Sequence, residues 1–129
     1  MSPRTAQRVF LAVGVIHAAL GLFMLLAPGP FYESIGTFEP RNDHYIRDLG
    51  TFYVALGVAF AAAGSRPAWR APVLLLALVE YALHTANHLY DIGHPEKDWV
   101  GPATAALVAA GLLLLALLAY LLGRPRRAS

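Results

Sequence analysis

Between Gly101 and Leu122 the chain offers a run of bilayer length in which Thr104 and Tyr120 are nearly all the polar content. A helix needs about 20 predominantly apolar residues to cross a hydrocarbon core. A soluble helix of that length needs a polar face, and this run has none. The first run, from about Val9 to Ala27, is of the same kind, with His17 as its only ionisable residue. A soluble all-α bundle would require polar faces on every helix, so these two segments read as membrane spans. Composition points the same way: 57% of residues are hydrophobic and 14% are charged. The chain has no Cys, which excludes disulfides, thiolate metal sites and a cysteine nucleophile. Its basic residues sit at the ends of apolar runs rather than on one face, which argues against nucleic acid as a partner.

Two further runs complete the pattern. The expected spans are 9–27, 44–63, 71–90 and 101–122, joined by short loops. They predict a single domain over 1–129, an integral membrane up-down antiparallel four-helix bundle. Gly14, Ala18 and Gly21 form a small-residue face that admits a neighbouring helix closely. Pro28-Gly29-Pro30 stops the first helix. Phe31, Tyr32, Ile35 and Phe38 then read as a segment lying in the interface, and with Trp69 and Trp99 as an aromatic belt. Asn42 or Asp43 is the expected N-cap of the second span.

Charge places the ends. Arg4 and Arg8, Arg66 and Arg70, and Arg124, Arg126 and Arg127 flank one side. The other connections carry Glu33, Glu39, Asp43, Asp91, Glu96 and Asp98 against Arg41 and Lys97. The positive-inside rule then predicts a multi-pass protein of the plasma membrane with both termini cytoplasmic.

The third span carries the chemistry. At 3.6 residues per turn, Glu80, His84, Asn87, His88 and Asp91 fall within roughly 100° of arc. Ionisable side chains in a membrane helix normally face protein or water. On the second span His44, Asp48 and Thr51 share one face, with Arg47 beside it. The expectation is a pocket in the outer half of the bundle into which His17, Asp48, Glu80, His84 and His88 point. Asn87 is expected on the same wall, and Arg47 as the partner that keeps a carboxylate ionised.

The patterns Asn42-Asp43-His44-Tyr45-Ile46-Arg47-Asp48-Leu49-Gly50 and His84-Thr85-Ala86-Asn87-His88-Leu89-Tyr90-Asp91 carry a resemblance. The chain resembles small four-span actinobacterial membrane proteins, broadly similar to the DoxX-like and DUF4345-type families. That resemblance implies an architecture and supplies no reaction.

From the residues themselves, several functions stay open. Glu80, His84 and Asp48 are candidate catalytic groups for acid-base chemistry on a lipid-soluble small molecule. His17, His44, Arg47, Thr51, Asn87 and Asp91 are candidate ligand-binding residues. His84 and His88, at i and i+4, with Glu80 one turn earlier, are candidate ligands for a divalent metal, zinc or iron. Haem held by His17 and a histidine of the third span is a further variant. Against these stand an accessory protein with a purely structural polar seam, and a proton or metal transporter. A chain this small without inverted repeats would need to form a homo-oligomer to act as a transporter.

Overall fold

The structure is a computed structural model that describes residues 1–123. The expected Arg124, Arg126 and Arg127 cluster lies outside the described residues. The chain forms α1 (Pro3–Leu26), α2 (Pro28–Ser34), α3 (Asp43–Ser65), a 3₁₀ turn (Pro67–Trp69), α4 (Arg70–Tyr90) and α5 (Val100–Gly123). No strand forms among the described residues. A lone β-bridge joins Phe38 to Pro95.

Local sequence explains the helix ends. The Ser2 side chain caps α1 by accepting from the Thr5 N–H, so this helix begins one and a half turns earlier than its apolar run. Asn42 caps α3, accepting from the N–H groups of His44 and Tyr45. Arg41 donates to both Asp43 carboxylate oxygens at 2.7 and 3.1 Å, fixing the approach to that cap. Pro28 ends α1, but it also starts α2, because proline suits the first helical turn. The segment expected to lie flat in the interface is therefore a short helix whose Phe31 and Tyr32 are buried. Phe31 packs inward with Phe23 and Met24, and Tyr32 lies under the Arg41 guanidinium, rather than forming an outer belt. Trp69 and Trp99 remain exposed.

Three helices, α1, α3 and α5, are long and apolar enough to cross a membrane. Large apolar side chains on their outer faces, such as Val15, Ile16, Val58, Leu113 and Leu114, are more than 60% exposed. A soluble monomer rarely shows contiguous apolar surface on this scale, so these faces mark a membrane protein in contact with lipid. The helix α4, which carries Glu80, His84, Asn87 and His88, falls outside that set of three.

The helices associate as two antiparallel pairs. In the first, α1 lies along α3 with backbones in direct contact. A Cβ added at Gly14 would sit 2.7 Å from the Gly57 carbonyl, and one at Gly21 would sit 2.6 Å from the Gly50 carbonyl. The glycines are spaced by seven on both helices, so the same stripe recurs along the crossing. In the second pair, α4 packs on α5, where Gly111 leaves room for the Tyr81 ring. A cluster of Phe10, Leu56, Phe60, Ala63, Val73, Leu74, Ala77, Leu115 and Leu118 fuses the pairs at one end. Arg70 strengthens that end by donating to the Ala63 and Gly64 carbonyls and lying over the Phe10 ring. At the opposite end the pairs part around a cavity.

The Gly57→Ala variant tests the backbone seam. Helix propensity alone would raise stability by up to about 1 kcal/mol. Its new Cβ, however, would stand 2.6 Å from the Ala18 backbone nitrogen, which cannot move aside. Overpacking of this kind costs about 1–3 kcal/mol, so the expected result is a lower thermal midpoint in detergent. Gly123→Ala, where an added Cβ meets nothing within 4 Å among the described residues, should not lower it.

Candidate functional site

The site is built on α4, where the inward face runs through Val73, Leu74 and Ala77 before turning polar. Continuing along it come Glu80 and Tyr81, then His84, then His88. From α3, Tyr53 reaches the same point, because it shares the buried face of Gly50 and Gly57. The Tyr53 hydroxyl, Glu80 Oε1 and His84 Nδ1 form a closed triangle with sides of 3.4, 3.2 and 3.1 Å. On the other edge of its ring, His84 Nε2 meets His88 Nε2 at 2.9 Å, and the two rings stack. Phe38 packs edge-on against His88.

A second polar contact ties the helix pairs together. His17 is 4% exposed and donates from Nδ1 to the Val13 carbonyl at 2.8 Å. Its Nε2 therefore accepts from the Tyr81 hydroxyl at 3.1 Å. The ring stacks between Tyr53 and Phe60. Both nitrogens are used within the protein. His17 acts as a joint between α1 and α4.

With Glu80 ionised, proton positions follow from donor and acceptor counting. The carboxylate can only accept, so the proton on the His84 ring sits at Nδ1. His84 Nε2 is then an acceptor, and His88 Nε2–H donates to it. This leaves His88 Nδ1 as an acceptor, buried and without a partner among the described residues, as is Glu80 Oε2. A proton added at His88 Nδ1 can be balanced by transfer along Nε2 to His84. This is the logic of a carboxylate-oriented imidazole chain.

The chain ends at a cavity of about 440 Å³ between the helix pairs. Tyr53, Tyr81, His84 and His88 form its polar wall, and Leu20, Met24, Phe31, Ile46, Leu107 and Val108 line much of the rest. Thr104 also faces it, but its hydroxyl is committed to the Val100 and Gly101 carbonyls.

Other expected members lie elsewhere. Asp48 is exposed and pairs with exposed His44 at 3.4 Å, one turn away on α3. Thr51 donates to the Asp48 carbonyl, and Arg47 is exposed with no ion pair to Glu80 or Asp48 among the described residues. Asp48, His44 and Thr51 occupy the face of α3 turned away from the one that the glycines press against α1, and Arg47 lies at its flank. At a helix start near the headgroups, polar side chains reach water there at little cost. Asn87 is exposed at the edge of the arc whose centre is Tyr81 and His84, and Asp91 is half-buried at the C-cap of α4. The convergence is therefore Glu80, His84 and His88 with Tyr53, and His17 through Tyr81, without Asp48.

No set of three or more His, Asp or Glu side chains placed to hold a metal occurs among the described residues. The geometry explains why. Glu80 and His88 sit on opposite edges of the His84 ring, so the three do not face one point, and catalytic zinc takes three protein ligands. Sequence reasoning missed Tyr53 and Tyr81, which look like ordinary apolar aromatics until the helix rotation is known.

Fold and site together define an all-helical membrane protein with a buried Tyr–Glu–His cluster beside an apolar cavity. The chain belongs to the family described as Domain of unknown function (DUF4345), whose model matches residues 5–90. Every side chain of the cluster falls within that match, and the α5 wall falls beyond it. No curated protein and no solved structure matches the chain.

The joint is testable in the Tyr81→Phe variant. Losing the hydroxyl leaves buried His17 Nε2 unpaired, a penalty of about 1–3 kcal/mol. Thermal unfolding in detergent should show it. In a His17→Phe background the same change should cost much less, since the coupling is gone.

Proposed function

We propose that this protein is a four-span membrane protein that binds a small, mainly apolar ligand through the Tyr53–Glu80–His84–His88 cluster. The observation that carries the reading is the end of that chain. The His88 ring lines a cavity large enough for a small organic molecule, and its Nδ1 is buried with no hydrogen-bond partner among the described residues. Leaving such an atom unpaired costs about 1–3 kcal/mol, which a packing seam has no reason to sustain. Small-molecule sites are typically clefts of ~300–1,000 Å³, apolar with a few convergent polar groups.

Acid-base chemistry on the ligand is the second reading. It is favoured by the orientation of His84 by Glu80 and of His88 by His84, at 3.1 and 2.9 Å. In that role His88 would exchange a proton with the ligand, and His84 and Glu80 would hold its tautomer.

In this reading α4 is the fourth span, its polar stripe turned to the protein interior and its neighbour α5 shielding it. The Arg-rich ends lie in the cytoplasm and the cavity lies in the outer half of the plasma membrane. Reporter fusions after Glu96 and at Ser129 test this: the first should be active only as an extracytoplasmic reporter, the second only as a cytoplasmic one. Activity of an extracytoplasmic reporter at Ser129 would refute the orientation.

Binding is tested by native mass spectrometry of the protein released gently from its membrane. The wild type should carry a non-protein mass that the His84→Ala/His88→Ala variant lacks while remaining folded. Identical spectra for the two would count against the site.

A further inference from the structure

Two boundaries of the cavity differ in kind. The end facing the α2–α3 and α4–α5 loops is closed by the loops themselves. Phe38 and Pro95 form a β-bridge, and the Glu96 N–H donates to the Thr37 carbonyl at 3.0 Å. Lys97 Nζ donates to the Glu33 carbonyl at 3.2 Å. Thr37 is fully buried, and the Phe38 ring lies 5.5 Å from that of His88. The paired loops thus stand between His88 and water.

The side of the cavity is open. Four of its lining residues are exposed: Ile35 at 38%, Tyr45 at 69%, Leu49 at 39% and Leu107 at 70%. Ile35 follows α2, Tyr45 and Leu49 belong to α3, and Leu107 belongs to α5. Among the described residues the backbones of α3 and α5 nowhere pack closely. The opening is framed by Ile35, Leu49, Leu107 and the Tyr45 ring, with no charged side chain, between two apolar helices, and such a mouth faces hydrocarbon.

We infer that the cavity is loaded sideways from the bilayer, through the gap between α3 and α5, by a membrane-resident amphiphile with one small hydrogen-bonding head. This inference rests on the proposed binding function and adds the route and the ligand class. The head, a hydroxyl, meets the polar wall that Tyr53, His84 and His88 form. The apolar body lies along Met24, Ile46 and Leu49 and leaves between α3 and α5. An anionic head does not fit: Glu80 stands behind His84, and no Arg or Lys lines the cavity among the described residues. Arg47, near Asp43, lies outside the cavity.

A long-chain alcohol with a diazirine beside its hydroxyl is the probe, dissolved in phospholipid nanodiscs that contain the protein. After photolysis, peptide mass spectrometry should place label on the α4 segment around His84 and His88. Two perturbations separate the routes. Leu49→Trp with Leu107→Trp narrows the side gap at exposed positions, where folding is not at stake. Phe38→Cys with Pro95→Cys allows the loops to be stapled in a chain that has no other cysteine. Cavity labelling should be lost in the tryptophan variant and equal in the oxidised and reduced forms of the stapled one. Labelling that survives the tryptophans, or disappears on oxidation of the staple, overturns the lateral route while leaving the binding site in place. A wild type with no label in the cavity overturns the binding function itself, and the route with it.

Discussion

The structure depends on the backbone-to-backbone crossing of α1 and α3. Gly14 faces Gly57 and Gly21 faces Gly50, so the two helices approach more closely than any side chain would allow. That contact fixes more than a distance. It sets the rotation of α3 about its own axis, and with it which side chains point inward. Tyr53, between the two glycines of α3, is carried to the interior. His44, Asp48 and Thr51 are carried to the outside. The composition of the polar cluster is therefore decided by residues that carry no chemistry.

The second pair is joined differently. Between α4 and α5 the seat is a glycine against a ring, Gly111 against Tyr81. Tyr81 then spans to His17 on the opposite pair, which makes one tyrosine the link between three helices. The apolar cluster at the far end supplies most of the buried contact between pairs, while at the cavity end the ties are hydrogen bonds. Dispersion and desolvation hold the closed end, and polar groups of specified geometry position the open one.

Much of the element order can be read from the residues. Asn42 as a cap, the small-residue face of α1 and the one-sidedness of Glu80, His84 and His88 all follow from spacing and residue type. What spacing could not supply was the rotation of α3. Polarity suggested that Asp48 and His44 point inward, but the first turns of a helix at a headgroup boundary reach water from any face. The seven-residue repeat of Gly50 and Gly57 carried the missing information, and it places Tyr53 on the inner side. Likewise Phe31 and Tyr32 read as interfacial aromatics. Their burial depends on α2 folding back beneath Phe23, a tertiary fact with no local signature. Asn87 lay at one limit of a 3.6-residue arc, and Asp91 is the C-cap residue beyond the last turn of α4. A shift of the arc's centre to Tyr81 was enough to leave Asn87 exposed.

The two kinds of seam give the molecule unequal stiffness. Glycine-to-carbonyl contact has no rotamers through which to adjust, so α1 and α3 behave as one rigid strut. Where side chains interdigitate, as across the Phe10, Leu74 and Leu118 cluster, small sliding and repacking are available. The pair of α4 and α5 can pivot there without disturbing the strut. Because His84 and His88 ride on the pivoting half and Tyr53 on the rigid one, the width of the cavity and the length of the Tyr53–His84 hydrogen bond are the same mechanical coordinate.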